Sequence, residues 1–469
     1  MALRARLVLA SALVLALAAP ASAQNLHQRI RALVDAASLG DGVSILVADE
    51  NDRDLYALRP DVPRNPASNM KLVTAAAALL ELGPGHQMLT GLYGDVQGGR
   101  VANLVLRGYG DPGLRMSDLV ELAEQLRDKG VRAVDRVYVD GSYFDDQILP
   151  PAFEQQPDEV AAFRAAVGAV AVERASYVLR CLPGPSVGAP AVARLDPPGY
   201  FEIDNGMTTS EGDAPGVIAS QRALDDGRLQ VVLRGTVPAG ILGVGYRRRV
   251  ENPLVHAAHA MAEALDRAGI GGRRAVQSGE GPDGLPLLTS RYGDTVAQLL
   301  HRVGKYSDNF YAEMLLKVLG AERSRPGSSA GGAEVLQDVL ERAGVERGAA
   351  TIVNGSGLFE GNAIAPRHLV KLLGYVYQQP AVRHEYLAQL AVGGRDGTLR
   401  RRLRDLPEEG IVRAKTGTLN DVIALSGYVL GRNDRVVRFS FLANGVRGRQ
   451  GLARRLADDI VREVADDLW

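Results

Sequence analysis

A lysine three residues after a serine, at the entry of an alanine-rich run, shares this chain with two polar triplets far downstream. The entry segment is Ser68-Asn69-Met70-Lys71, and the triplets are Ser307-Asp308-Asn309 and Lys415-Thr416-Gly417. Each is short enough to arise by chance, so their order and joint occurrence carry the weight. If they form one site, well over two hundred residues between Lys71 and Ser307 must leave that site and return to it. The domain that holds the site is then discontinuous, and this constrains the fold more than any other feature.

Asn65-Pro66-Ala67 precedes the serine, and the run from Lys71 to Leu82 ends at Gly83-Pro84. A strong helix former with a breaker on each side predicts a helix with Ser68 in its first turn. Free backbone N–H groups and the positive dipole end favour a developing anion there. Lys71, at i+3, lies on the same face as Ser68. A serine hydroxyl is a weak nucleophile until a neighbouring base takes its proton, and a desolvated lysine can be that base. The blander reading makes Ser68 an N-cap and Lys71 a solvated helix residue. Composition speaks against it. Of 54 Lys and Arg residues only six are lysine: Lys71, Lys129, Lys305, Lys317, Lys371 and Lys415. Where arginine is the default cation, lysine at two motif positions reflects chemistry, because a guanidinium does not deprotonate in proteins.

The stretch Leu300 to Leu316 reads as two helices joined by a loop, with Ser307-Asp308-Asn309 at the entrance of the second. Ser307 can relay a proton to a leaving amine, and the Asn309 amide can hold a substrate carbonyl or orient Lys71. A helix N-terminus rich in capping residues is the competing view. Val412 to Leu419, Ala424 to Val429 and Val437 to Leu442 read as adjacent antiparallel strands, with Lys415 on the first. Gly417 removes a side chain where another backbone or a ligand must come close. Lys415, Thr416 and Thr418 would offer one cation and two hydroxyls to a carboxylate. A backbone N–H near Thr418, with that of Ser68, would form an oxyanion hole for acyl transfer. The alternative for this segment is an ordinary exposed edge strand.

The trio in this order is the pattern of class A β-lactamases and penicillin-binding proteins. More of the chain points the same way: Pro66 to Ala75, Leu106-Arg107-Gly108-Tyr109-Gly110-Asp111-Pro112, Asn354-Gly355-Ser356-Gly357-Leu358, Gly393 to Leu399 and Ala414 to Asn420. On these segments the chain resembles the D-alanyl-D-alanine carboxypeptidase/endopeptidases, the class C low-molecular-mass penicillin-binding proteins. Two positions depart from that pattern. Asn354 stands where the family usually has aspartate, and Asp204 to Thr209 lacks an arginine often found after the asparagine. The resemblance implies an α/β (α+β) fold, a serine β-lactamase/DD-peptidase-like domain of antiparallel sheet flanked by helices plus an all-helical cluster, with one or two inserted β-rich domains. It implies a serine DD-peptidase with no cofactor and no metal, acting on peptidoglycan stem peptides ending in D-Ala-D-Ala or on their cross-links, with β-lactams as inhibitors. Ser68, Lys71 and Ser307 are the expected catalytic residues, and Asn309, Lys415, Thr416, Gly417 and Thr418 the substrate-binding ones.

Arg4 and Arg6 precede an apolar run from Leu7 to Ala19, and Ala21-Ser22-Ala23 is a cleavage signal. Residues 1–23 therefore read as a signal peptide, too short for a comfortable membrane span, and the protein as exported and periplasmic. No cysteine follows the cleavage point, which excludes a lipoprotein; the single Cys181 excludes an internal disulfide and reads as a small buried apolar residue. Net charge is −1, so no basic field suggests nucleic acid. Residues 24–89 and 291–469 read as the discontinuous acyl-transfer domain, and 90–290 as inserted material of one or two small domains, with β-like runs such as Val101–Arg107, Val137–Asp140, Tyr177–Leu182 and Leu229–Gly235. The amphipathic stretch Leu452 to Leu468 carries acids on its polar face, which favours core packing over a membrane surface.

Two decoys compete. Gly108 to Gly113 matches a dinucleotide fingerprint, but Pro112 lacks an N–H where a helix should open, and no clean β-α-β unit is expected to follow. His256 and His259, with Glu263, share a helix face without a second ligand cluster among seven histidines. A β-lactamase would need a deacylating carboxylate, and no E-x-x-L-N segment supplies one. The other class is a non-catalytic peptidoglycan-binding scaffold, which intact Ser68, Lys71, Ser307, Asn309 and Lys415 argue against. Oligomeric state is not legible in the sequence.

Overall fold

In the computed structural model the described residues are 21–272 and 275–469. The expected leader falls outside them except for its last three residues, which begin a helix, Ala21–Ala37.

Both ends of the chain build one six-stranded antiparallel sheet. Its order is Ala391–Val392, Val412–Leu419, Val422–Leu430, Val436–Asn444, Val43–Ala48 and Asp54–Leu58. The strand Val43–Ala48 is buried along its whole length, and Val422–Leu430 everywhere but its last residue. Unbroken apolar runs of this kind mark strands covered on both faces. Ile45 and Val47 point to a layer made by Ala21–Ala37 and Gln450–Leu468, where Leu456, Ile460, Val461, Val464 and Leu468 pack as the final amphipathic stretch predicts. Leu46 and Ala48 point the other way, toward Val370 on the helix Pro366–Tyr377. That helix belongs to an all-helical cluster with Met70–Ala77, Val296–Lys305, Asn309–Arg323, Ser329–Arg342 and Arg383–Gln389.

All eight residues of Met70–Ala77 are buried, so this helix is covered on every side and runs through the core of the cluster. A lysine placed on it is almost wholly desolvated.

Between the two halves the chain makes a mixed sheet ordered Ala275–Ser278, Ala133–Asp140, Arg100–Gly108, Gln87–Tyr93 and Leu287–Thr295, packed with helices Met116–Asp128 and Pro253–Arg267. Arg100–Gly108, Met116–Asp128 and Ala133–Asp140 form a β-α-β unit with parallel strands. This corrects the expectation that no such unit follows Gly108. The loop is nonetheless built for packing. Its helix opens only at Met116. The Asp111 carboxylate accepts Gly113 N–H and an Arg291 N–H, both at 2.8 Å. A Cβ on Gly108 would lie 2.5 Å from the Ala169 carbonyl oxygen, and one on Gly110 2.7 Å from Val318. The glycines allow close packing, and Asp111 fills the turn where a phosphate would sit.

Two three-stranded sheets follow. One holds Gly216–Ala223, Leu229–Pro238 and Phe201–Ser210; the other holds Val244–Arg249, Ser176–Leu182 and Val192–Arg194. Cys181 is buried in the second. Among the described residues no helix is long and apolar enough to cross a membrane.

Candidate active site

The polypeptide enters the serine helix through a tight turn. Ala67 adopts a left-handed φ of 46°, and Ala67–Asn69 forms one 3-10 turn before Met70. Two glycines make room for it. A Cβ on Gly357 would sit 1.8 Å from the Ala67 carbonyl oxygen, and one on Gly417 would meet Pro66 O at 2.9 Å and Ala67 Cβ at 3.0 Å. The close approach expected at Gly417 is therefore that of the lysine strand to the serine turn. Asn69, fully buried, reaches Ser426 Oγ at 2.7 Å and ties the turn to the neighbouring strand.

Lys71 Nζ lies 2.9 Å from Ser68 Oγ, 2.7 Å from Asn309 Oδ1 and 2.6 Å from the Ser356 carbonyl oxygen. Two of these partners can only accept. A neutral amine has two N–H bonds and one lone pair; its protons go to Asn309 and Ser356, and the lone pair is left facing the Ser68 hydroxyl. Burial, the main influence, brings the lysine down from 10.5 to about 7, against the opposing pull of Glu313 and Asp308. The amine is thus both aimed and basic near neutral pH.

Ser307 and Asn309 flank the start of the helix Asn309–Arg323, which Asp308 caps. Ser307 has a left-handed φ of 59°. Its Oγ accepts from Lys415 Nζ at 2.8 Å, and the same nitrogen also donates to Thr416 O at 2.7 Å. Burial drives Lys415 well below its usual value, and Lys71 adds to the effect. The second arm of Asn309, Nδ2, donates to Phe163 O at 3.0 Å, so a residue of the intervening region reaches the site.

Thr416 is buried, its hydroxyl 2.8 Å from that of Thr398, whereas Thr418 is exposed. Gly393 N–H bonds to Val412 O on the outer edge of the lysine strand. By the alternation of an antiparallel ladder, Thr416 and Thr418 turn their backbone groups to that same edge. The strand Ala391–Val392 pairs only with Arg413 and Ala414, so it does not cover the edge at Thr418. Lys305 and Asp396, 2.6 Å apart, hold the loop that carries Thr398. A cleft of about 860 Å³ runs past these groups, with Ser68, Ser307, Asn309, Thr418, Phe163, Phe359 and Arg447 among its lining residues. All eight residues expected from the sequence therefore meet at one place: six at the cleft wall or hydrogen-bonded to it, Thr416 and Gly417 immediately behind.

Sequence reasoning missed the support of this arrangement. Glu313 is buried, and its carboxylate accepts the N–H groups of Gly355 at 3.2 Å and Ser356 at 2.7 Å. Thr74 Oγ1 donates to Gly355 O at 2.7 Å. Asn354 Oδ1 accepts from Gly357 N–H and Asn362, both at 2.9 Å, while its Nδ2 donates to Pro151 O and Leu358 O at 3.0 and 3.1 Å. These bonds fix the Ser356 carbonyl that receives Lys71. The signal was present in Glu313, an acid set among the apolar residues Phe310, Ala312, Met314, Leu315 and Leu316 of its helix.

An antiparallel sheet joined to a helical cluster, with a serine, two lysines and an S-x-N turn between them, defines the serine acyl-transfer hydrolases of the penicillin-binding type. The chain belongs to the D-Ala-D-Ala carboxypeptidase 3 (S13) family, whose sequence model matches residues 26–464. It is 32% identical to a D-alanyl-D-alanine carboxypeptidase of Actinomadura sp. (strain R39), over 94% of this chain and 84% of that protein. The crystal structure of penicillin binding protein 4 from Haemophilus influenzae matches with a TM-score of 0.76 and 24% identity, covering 94% of this chain and 99% of that one. The same protein complexed with a novel β-lactam matches with a TM-score of 0.75 and 21% identity, covering 93% and 99%.

Proposed function

We propose that Ser68 is the nucleophile and Lys71 its base in the cleavage of D-Ala-D-Ala ends of peptidoglycan stem peptides or of their D-Ala cross-links. The observation that carries this reading is the Lys71 amine, 2.9 Å from Ser68 Oγ, with both of its own protons committed elsewhere. Ser68 Oγ bonds to the carbonyl carbon of the penultimate D-alanine as its proton passes to Lys71. The N–H groups of Ser68 and Thr418 hold the oxyanion. The C–N bond breaks, and the departing amine takes a proton through Ser307, which Lys415 orients. Water then attacks the acyl-enzyme and frees Ser68. Lys415, with Thr418, meets the substrate carboxylate, and Thr416 backs the strand behind them through its hydroxyl bond to Thr398. Each of these steps uses groups of the chain and water alone.

β-Lactams present the same carbonyl and carboxylate, and a β-lactam complex exists for the Haemophilus protein of like fold. We assign residues 24–89 and 291–469 to the acyl-transfer domain and 90–290 to inserted domains; the six-stranded sheet draws every strand from outside 90–290, which supports that division. The N-terminal pattern supports export to the periplasm, where peptidoglycan lies. The test is release of D-alanine from a pentapeptide by the purified protein. Ser68→Ala should abolish it while thermal unfolding stays unchanged; retained release removes Ser68 from the role.

A further inference from the structure

A sharp local distortion lies outside the groups just described. Glu173, Arg174 and Ala175 are three consecutive non-glycine residues with left-handed φ, 53°, 64° and 45°. Such a run is unfavourable unless its surroundings over-determine it, and strained segments of this kind cluster at functional sites. Here they do over-determine it. Glu173 N–H bonds to Leu114 O, its carboxylate accepts Met116 N–H, and its carbonyl accepts Ser176 Oγ. Ala175 is held by Val172 O and Val250 N–H. The middle side chain leads from the turn to the site. Arg174 Nη2 meets Asp308 Oδ2 at 2.6 Å, with the aspartate side chain 7% exposed.

We infer that Arg174, supplied by the intervening region, is a positioning residue of the reaction: its ion pair with Asp308 sets the Ser307-Asp308-Asn309 turn and offsets the Asp308 charge near Lys71. This rests on the reading of Ser68 and Lys71 given above. Asp308 has little other support. Its backbone N–H bonds to Arg302 O, its second carboxylate oxygen accepts Tyr311 N–H at a long 3.4 Å, and the Arg302 guanidinium lies over the Tyr306 ring. Both neighbours of Asp308 touch a lysine of the site, Ser307 through Lys415 and Asn309 through Lys71. The charged groups that act on Lys71 are Glu313 and Asp308, which favour its protonated form, while Lys71 itself lowers Lys415 on the strand. Without Arg174, the Asp308 carboxylate stands uncompensated and Lys71 holds its proton to higher pH.

The test is the pH dependence of acylation of the full chain by a fluorescent penicillin, for the parent, Arg174→Gln, Arg174→Lys, Asp308→Asn and the Arg174→Gln/Asp308→Asn pair. Arg174→Gln should acylate about tenfold more slowly at pH 7, with its acid limb moved up by about one unit and most of the loss recovered at high pH. Arg174→Lys should recover part of the rate, and Asp308→Asn in the Arg174→Gln background should bring the limb back to or below the parent's. A structural role alone would lower the rate equally at every pH. The inference is overturned if Arg174→Gln stays within twofold of the parent throughout, or if its limb is the same with and without Asp308. Should Arg174→Gln not fold, Asp308→Asn decides: its limb must move down, and a limb that stays or rises overturns the inference. Ser68→Ala and Lys71→Arg run alongside. If they label as fast as the parent, the reading of the site fails; if they are inert while the Arg174 variants match the parent, only this inference fails.

Discussion

Replacing Glu313 by glutamine should move the acid limb of acylation to lower pH. Burial brings Lys71 from 10.5 to about 7. At pH 7 about half the molecules then carry a neutral amine, against roughly one in three thousand at the ordinary value, because each unit is a factor of ten. Glu313 works in the opposite direction, since its buried carboxylate favours the ammonium. Glutamine keeps the shape and removes the charge, so the Lys71 value should fall by about one unit. The amide oxygen can still accept one of the Gly355 and Ser356 N–H groups, but its NH2 faces the other, at a cost of about 1–3 kcal/mol in stability. Stopped-flow acylation by a chromogenic cephalosporin, followed from about pH 5 to about pH 9, reads the limb directly. The expected midpoint is near 7 in the parent, and about one unit lower in Glu313→Gln. A parent midpoint above 9, or a variant limb that is unmoved or displaced upward, would refute the reasoning.

Three further outcomes follow from the same geometry. Lys415→Ala should slow acylation by a β-lactam acid more than by its amidated analogue; equal losses would place the lysine on the proton path instead. Gly357→Ala puts a Cβ into the Ala67 carbonyl at a φ of +72°, so acylation should fall by about a hundredfold or more as the serine turn is displaced; a parental rate would show that the turn does not depend on that contact. Asn354→Asp loses two donated bonds and turns a carboxylate toward the Pro151 and Leu358 carbonyls, at a cost of about 2–4 kcal/mol. Burial raises the folded-state pKa of that aspartate above its unfolded value, so the penalty is smaller at low pH, where the protonated acid still donates one bond, and grows as pH rises through the folded value. Urea unfolding at pH 5 and pH 8 should show the larger loss at pH 8, and equal losses would contradict the assignment of that amide.

Much of this fold is written in local pattern. The apolar runs at Val43–Ala48 and Val422–Leu430, the amphipathic end at Gln450–Leu468 and the i+3 spacing of Ser68 and Lys71 each state their environment without help from distant residues. The site residues were legible because their side chains carry the chemistry. What holds them was not. The Ser356 carbonyl that receives Lys71 is a backbone group, which any residue supplies, and its placement depends on Glu313, Thr74 and Asn354 converging from three segments. The helix Met116–Asp128 was readable from Leu119, Leu122 and Leu126, all buried on one face. The β-α-β unit was less legible because Pro112 bars a helix from opening at the glycine fingerprint, and the helix starts only at Met116. Asn354, a departure from the family pattern, has its own explanation here: two backbone carbonyls face it, and an amide can donate to both where a carboxylate cannot.

The central claim is that Ser68 forms the acyl-enzyme. Mass spectrometry of the protein treated with penicillin, followed by digestion, tests it most directly. One adduct of intact penicillin mass should be found on the peptide containing Ser68-Asn69-Met70-Lys71, persisting through digestion because no dedicated deacylating carboxylate marks the chain, and Ser68→Ala should carry none. An adduct on Ser307 or Cys181, or one that survives in Ser68→Ala, would contradict the account.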